Sequence, residues 1–174
     1  GLTKDIIARV VKERPLKFRK GSLEFISFLN DRNIPLIFMS AAPGDMLIGY
    51  LEQAGLMLPN VYVISNLYRF DKNGKALIIM EPIIHTFNKT EISLRTYSIY
   101  KKIKSRTNVL LLGDSLGDVG MIEGFPYKNL IRVGFYNDSE EGTVEQFKAN
   151  YDVVITNDGN FDFVNKMVKE MAVK

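Results

Sequence analysis

Two aspartates lie four residues apart, directly after a short apolar segment. The apolar segment is Val109–Leu112, and the loop Gly113–Asp118 that follows contains Asp114 and Asp118. This pattern predicts a buried parallel strand, and α/β sheets bind their ligands at the carboxyl ends of such strands. Carboxylates beside the two glycines of this loop suit a hard cation such as Mg²⁺, and a phosphate bound to that ion. A strand, a turn and a helix capped by Ser115 would explain the same residues without a metal, because Asp and Ser cap helices well.

Two further polar residues stand at comparable places. Ser40 follows the apolar segment Ile34–Met39, and Lys89 directly precedes a predicted helix, Thr90–Ile103. Together with Asp114 they would form a phosphate pocket, in which Ser40 and the N–H groups after it donate to phosphoryl oxygens. Lys89 would neutralise charge on the transferring group. Taken alone, Ser40 could be a helix cap and Lys89 a surface lysine; taken together, the phosphate pocket is the better hypothesis.

Helical and strand patterns alternate along the chain, and this alternation predicts how these residues are positioned. Helices are predicted at 3–12, 21–32, 43–54, 90–103, 115–123, 140–149 and 160–173, and strands at 34–39, 61–66, 109–112, 131–135 and 151–155. A hairpin is predicted at 67–80, because Asn73-Gly74 is a strong turn signal. The alternation predicts an α/β fold, a Rossmann-like parallel sheet with helices on both faces.

Composition excludes several kinds of site. The 174 residues contain no cysteine and one histidine, His85, so disulfides, thiolate metal sites and sites with two imidazoles are excluded. The absence of cysteine fits a cytoplasmic location. The net charge of +3 comes from scattered basic residues, and no apolar run is long enough for a bilayer. We therefore expect neither nucleic acid nor a membrane as a partner.

The order of these motifs resembles a known enzyme superfamily. Ser40, then Lys89, then Gly113–Asp118 resemble the second, third and fourth motifs of the haloacid dehalogenase superfamily of phosphatases. Longer segments resemble the cytosolic pyrimidine 5′-nucleotidase (cytosolic 5′-nucleotidase III) family, and this resemblance covers nearly the whole chain. These segments are Gly1–Lys4, Phe38–Asp45, Gln53–Gly55, Pro59–Val61, Phe87–Lys89, Leu111–Asp118 and Gly134–Asp138.

The resemblance implies an activity and a role for each site residue. The implied activity is Mg²⁺-dependent hydrolysis of pyrimidine nucleoside 5′-monophosphates, UMP and CMP, through an aspartyl-phosphate. Ser40 and Ala41 would bind the phosphate, and Lys89 would stabilise it. Asp114 would be a direct Mg²⁺ ligand, and Asp118 would support catalysis by orienting Lys89 or a metal-bound water.

The first motif of the superfamily, Asp-x-Asp-x-Thr, is absent, since no two aspartates of the chain are separated by one residue. Its first aspartate is the nucleophile and its second the general acid and base. The resemblance implies that this motif lies upstream, on the central strand of the haloacid dehalogenase-like core, together with most of the cap. Residues 1–14 would then be the tail of a helical cap domain, and 15–174 the C-terminal part of the core. We expect an upstream segment of the same protein to complete the core and supply the nucleophile.

Two other functions remain open at this point. The chain could be a non-catalytic module that binds phosphate and Mg²⁺, as the printed sequence suggests if it is complete. It could also belong to another phosphatase of the same superfamily. Retention of Ser40, Lys89, Asp114 and Asp118 together favours an enzyme, because a binding module has little physical need for all four.

Overall fold

A computed structural model describes residues 1–85, 88–89, 94–137 and 142–172 of the chain. It contains two compact units, one formed by Gly1–His85 with Phe161–Lys174 and the other by Thr86–Asn160. The predicted division into 1–14 and 15–174 stays a prediction. Several predicted features lie outside the described residues, namely positions 90–93, 140–141 and 173 of the helices, and Phe87 and Asp138 of the segments that carry the resemblance.

Most predicted elements are present with small shifts of their ends. In chain order the helices are α1 (Lys4–Glu13), α2 (Ser22–Asp31), α3 (Gly44–Gln53), α4 (Tyr100–Ile103), α5 (Val144–Asn150) and α6 (Asp162–Met171). The strands are β1 (Leu36–Pro43), β2 (Val61–Asn66), β3 (Tyr68–Phe70), β4 (Ala76–Ile79), β5 (Asn108–Gly113), β6 (Asn129–Phe135) and β7 (Val153–Ile155). Among the described residues, 3₁₀ helices also cover Leu94–Thr96 and Leu116–Ile122.

In the first unit, β1 and β2 pair in parallel and α1 packs against α3. Helix α1 begins where the Thr3 hydroxyl accepts the N–H of Ile6 at 3.2 Å, and it buries Ile7 and Val11. A Cβ at Gly49 of α3 would meet a Val11 methyl at 3.1 Å, so the glycine permits the close approach of the two helices. Strands β3 and β4 form the antiparallel hairpin that the Asn-Gly turn predicts.

In the second unit, β5, β6 and β7 form a parallel sheet in that order. Its core contains Leu111, Phe147 and Tyr151. The continuous helix predicted over 90–103 is wrong for its described part, which consists of the 3₁₀ turn Leu94–Thr96 and the single turn α4. Thr, Tyr, Ser and Ile between 96 and 99 explain the interruption, because β-branched and aromatic residues and serine are weak helix formers.

The parallel strands confirm the predicted α/β class and lie in two separate sheets, β1–β2 and β5–β6–β7. Among the described residues, the strand partner of β1 is β2 and that of β5 is β6. The expected absence of a central strand stays a prediction. None of the helices in the described ranges has the length and apolar character needed to cross a membrane.

Candidate active site

The loop after β5 is organised by the buried carboxylate of Asp118. Its Oδ2 atom accepts the backbone N–H groups of Asp114 at 3.0 Å and of Ser115 at 3.1 Å. Asp118 is 3% exposed, whereas Asp114 lies on the surface. The second carboxylate of the motif therefore fixes the backbone that carries the first.

Lys89 forms an ion pair with the other oxygen of the same carboxylate, Oδ1 of Asp118. The side chains of Lys89 and Asp118 are 12% and 4% exposed, so the pair is nearly buried. Charge-assisted hydrogen bonds in such surroundings hold both groups in one geometry. The family resemblance implies that Asp118 orients Lys89 or a metal-bound water, and this contact is the one that the first of these roles requires. The catalytic roles of the two residues stay predictions.

Asp114 fits a role as one ligand of Mg²⁺. Its carboxylate offers the hard oxygen atoms that this ion prefers, at the carboxyl end of β5. Within the ranges that the structure describes, no group of three or more His, Cys, Asp or Glu side chains is placed to hold a metal ion. Mg²⁺ is often bound by one or two carboxylates, with waters and substrate phosphate completing its shell, so a single protein carboxylate here is compatible with it.

Tyr151 contacts this loop, although no motif in the sequence indicates it. Its hydroxyl donates to the backbone carbonyl of Ser115, in the loop that carries Asp114. Burial raises the pKa of Tyr151, and the negative charges of Asp118 and Asp114 raise it further. The phenol is therefore protonated at neutral pH and remains a hydrogen-bond donor. No short sequence pattern marks this residue, because it lies far along the chain from the loop.

The predicted phosphate-binding segment Ser40–Ala41 lies in the first unit, within the last part of β1. The Ser40 hydroxyl accepts the N–H of Ala42 at 3.1 Å. Helix α3 begins after Pro43 without a side-chain cap, so Ser40 is not its cap. Strand β1 continues to Pro43 instead of ending at residue 39, and its pairing with β2 becomes irregular after Met39.

Two residues at the end of β2, neither of them predicted as a site residue, hold this segment. The Ser65 hydroxyl lies 2.8 Å from the carbonyl oxygen of Ser40 and 2.6 Å from that of Ala42. The Asn66 side chain donates to the carbonyl of Ala41 at 2.8 Å. A polar pair directly after the apolar residues of a predicted strand is a signal that could have identified them.

The amide of Asn66 also fixes the chain beyond the hairpin. It donates to the carbonyl of Ile84 at 2.8 Å, and the Ile84 N–H donates to its Oδ1 at 2.7 Å. Asn66 is 8% exposed, and both kinds of polar atom on its amide are used. A single buried side chain thus joins the end of β1 to a segment 18 residues beyond β2.

Asn66→Ala is expected to destabilise the protein by about 2–4 kcal/mol. The substitution leaves the carbonyl of Ala41 and both backbone groups of Ile84 without their partner, and an unsatisfied buried polar group costs about 1–3 kcal/mol. Denaturant unfolding of the full-length protein would measure the change. Asn73→Ala, in the exposed hairpin turn, is the matched control and should cost less than about 1 kcal/mol. Equal losses for the two variants would contradict the role assigned to Asn66.

Gly113→Ala is expected to destabilise the site loop by about 1–3 kcal/mol, as overpacking of a filled space does. A Cβ at this position would lie 2.5 Å from the Tyr151 hydroxyl oxygen and 2.6 Å from Cβ of Asp118. Gly49→Ala is the control, because its nearest contact is a methyl group at 3.1 Å and alanine favours a helix. Thermal unfolding of both variants measures the difference, and an unchanged Tm for Gly113→Ala would refute the close contact.

The candidate residues divide between the two units. Ser40 and Ala41 lie in the first, and Lys89, Asp114 and Asp118 lie in the second. Within the second unit, the structure brings Lys89 and Asp118 into contact, and Asp118 also accepts the backbone N–H of Asp114. The expectation that Ser40 meets the other three at one point stays a prediction.

Comparison with known proteins shows consistent similarities. Residues 1–172 match the model of the family described as pyrimidine 5′-nucleotidase (UMPH-1). The chain is 41% identical over 174 residues to the 7-methylguanosine phosphate-specific 5′-nucleotidase A of Xenopus laevis, covering 99% of this chain and 60% of that protein. It also matches the 7-methylguanosine phosphate-specific 5′-nucleotidase of Homo sapiens with 34% identity, over 95% of this chain and 55% of that protein. The chain thus spans little more than half the length of these curated relatives.

The fold matches a solved structure over nearly its whole length. The crystal structure of cytosolic 5′-nucleotidase IIIB bound to cytidine aligns with a TM-score of 0.81 and 26% identity, covering 98% of this chain and 59% of that one. The fold that the two chains share is that of the haloacid dehalogenase hydrolases, as the order of the motifs predicts.

Proposed function

This chain belongs to the pyrimidine 5′-nucleotidase (UMPH-1) family, and from that premise we propose that its protein hydrolyses nucleoside 5′-monophosphates to nucleoside and phosphate. The observation that carries the proposal is the arrangement around Asp118. One buried carboxylate holds the Lys89 ammonium and the backbone of Asp114 at the same time. A cation and a metal-binding carboxylate fixed to one support suit a phosphoryl group, whose transfer requires positioning and charge neutralisation.

Each candidate site residue of the second unit has a distinct role in this proposal. Lys89 would neutralise negative charge on the phosphoryl oxygens, and its ion pair with Asp118 would keep the ammonium in place without substrate. Asp114 would hold Mg²⁺, which supplies Lewis-acid stabilisation of phosphoryl oxygens when bound. Asp118 would serve as a support and not as a ligand, because its two oxygens already accept from Lys89 and from the loop.

The Ser40–Ala41 segment would bind the phosphate. Ser65 and Asn66 hold its carbonyl oxygens, so the Ser40 side chain and the segment's backbone have a defined position. A hydroxyl can donate to a phosphoryl oxygen while accepting the Ala42 N–H, because it carries one proton and two lone pairs.

The attacking group would come from a part of the protein outside residues 1–174. No Asp-x-Asp-x-Thr occurs in the chain. We propose that an aspartate on an upstream segment attacks phosphorus while the nucleoside 5′-oxygen leaves as an alcohol, protonated by a second acid. Water would then hydrolyse the acyl phosphate, which releases phosphate and regenerates the carboxylate. The same segment would complete the core and, with the cap, contact the base.

Two substrate classes have support from the relatives. We propose the pyrimidine nucleotides UMP and CMP, since the family model carries that description and the structural relative was solved with cytidine. The second candidate is 7-methylguanosine 5′-monophosphate, because relatives up to 41% identical are named for specificity toward 7-methylguanosine phosphate. A cytoplasmic location is also proposed, because the solved relative is named a cytosolic enzyme.

Phosphate release by the full-length protein tests the proposal. UMP, CMP and 7-methylguanosine 5′-monophosphate would be compared with GMP, the control that lacks the methyl group, and with phosphoserine. We expect turnover of at least one of the first three, loss of turnover in EDTA, and recovery with Mg²⁺. Turnover of phosphoserine alone would favour another phosphatase of the superfamily. Mg²⁺ binding without turnover of any ester would favour the non-catalytic module.

A further inference from the structure

Two glycines occupy paired positions on adjacent strands of the β5–β6–β7 sheet, so neither strand carries a side chain at this point. Gly113 of β5 and Gly134 of β6 are register partners. A Cβ at Gly134 would lie 2.8 Å from two ring atoms of Tyr151, and a Cβ at Gly113 would lie 2.5 Å from its hydroxyl oxygen. The Tyr151 ring therefore lies across both strands, in space that any larger residue at either position would occupy.

Packing against Phe147 also fixes the position of the Tyr151 ring. It stacks on Phe147, with ring centroids 5.4 Å apart and planes 19° apart, and Phe147 is fully buried. Tyr151 itself is 4% exposed. The ring position determines where the hydroxyl lies, and this hydroxyl donates to the carbonyl of Ser115.

The residue after Asp114 is thus held at both of its backbone polar groups. Asp118 accepts the N–H of Ser115, and Tyr151 donates to the Ser115 carbonyl. Asp118 also accepts the N–H of Asp114 itself. The exposed side chain of Asp114 extends from a backbone that is fixed in this way.

We propose that Tyr151 is a positioning residue for the metal-binding carboxylate, holding the Gly113–Ser115 backbone so that Asp114 presents its oxygen atoms in one orientation. This inference rests on the proposed function, because it takes Asp114 as a Mg²⁺ ligand. Partners behind a metal ligand typically change metal affinity by 10- to 100-fold when removed. Tyr151 acts through two backbone groups, so its loss belongs at the lower end of that range.

Tyr151→Phe in the full-length protein tests the proposal, because it removes the hydroxyl and keeps the ring on Phe147. Titration calorimetry with MgCl₂ on the metal-free protein should show an affinity about 10-fold lower than that of the wild type. Tyr136→Phe is the matched control, since Tyr136 also packs on Phe147, with planes at 70°. Its Mg²⁺ affinity should stay within about twofold of the wild type, as expected for a substitution that leaves the loop contacts in place. In turnover assays, excess Mg²⁺ should restore the kcat of Tyr151→Phe, with the nucleotide KM unchanged.

Each outcome decides the proposal. Wild-type Mg²⁺ affinity in Tyr151→Phe would overturn it and leave the proposed function intact. A wild-type protein that binds no Mg²⁺ would overturn both. If Tyr151→Phe fails to fold, Tyr151 is a structural residue of the core and the positioning role is overturned. The same conclusion follows if Tyr151→Phe loses kcat and excess Mg²⁺ does not restore it.

Discussion

Asp114→Asn in the full-length protein is expected to lower kcat about 10³-fold at Mg²⁺ concentrations that saturate the wild type. A bound divalent ion stabilises transition-state charge on phosphoryl oxygens by several kcal/mol, and about 4 kcal/mol corresponds to three orders of magnitude. The neutral amide keeps the shape of the side chain and removes its charge. Phosphate release measures the rate, and calorimetry with MgCl₂ should show a matching loss of affinity.

Asp71→Asn is the control for this substitution. Asp71 lies in the hairpin turn, where its Oδ1 accepts the N–H groups of Asn73 and Lys75, and an amide oxygen can accept the same bonds. The activity and Mg²⁺ affinity of the Asp71→Asn protein should equal those of the wild type. Unchanged Mg²⁺ affinity in Asp114→Asn would remove Asp114 from the metal site, even if turnover fell.

Lys89→Met is expected to lower both activity and stability. Removal of one donor to developing transition-state charge typically costs about 10²–10³ in kcat. The same change leaves the buried Asp118 carboxylate without its cation, and breaking a buried pair on one side costs about 3–5 kcal/mol. Phosphate release and denaturant unfolding of the full-length protein measure the two effects separately.

A double variant separates the electrostatic cause from the catalytic one. Lys89→Met with Asp118→Asn contains no uncompensated buried charge, so it should regain part of the stability while its activity stays low. Lys169→Met is the control for loss of an ion pair, because Lys169 and Glu24 are 50% and 55% exposed. Exposed pairs contribute at most about 1 kcal/mol, so this control should change little. A Lys89→Met protein with wild-type kcat would exclude Lys89 from the reaction.

Helices and strands were predicted most accurately where the sequence pattern that indicates them lies within a few residues. Strand β2 is found at Val61–Asn66, the predicted range, because its apolar residues are contiguous and bounded by turn residues. The hairpin followed from Asn73-Gly74, where glycine adopts a positive φ of 77°. The helix predicted over 115–123 is instead a 3₁₀ helix, Leu116–Ile122. Gly117 and Gly120 within it disfavour a regular α-helix.

The sequence likewise indicated some residues of the candidate site and not others. The sequence indicated Ser40, Asp114 and Asp118 by residue type and by their position after apolar strand segments, and Lys89 by its position before a predicted helix. It did not indicate Ser65, Asn66 or Tyr151, although each contacts the backbone of a predicted site segment. These supporting residues belong to other elements, and their part depends on which strands are neighbours and in what register.

The sequence by itself determined the strands, the turn chemistry, the order of the motifs and therefore the family. Only the tertiary structure decided that Lys89 pairs with Asp118 across 29 positions, that Asn66 holds Ala41 across 25, and that Tyr151 reaches Ser115 across 36. Local patterns repeat within a few residues and can be read from the chain directly. Pairings over such distances depend on strand register and close packing, as in the space that Gly113 and Gly134 leave for one ring, and these exist only after the chain has folded.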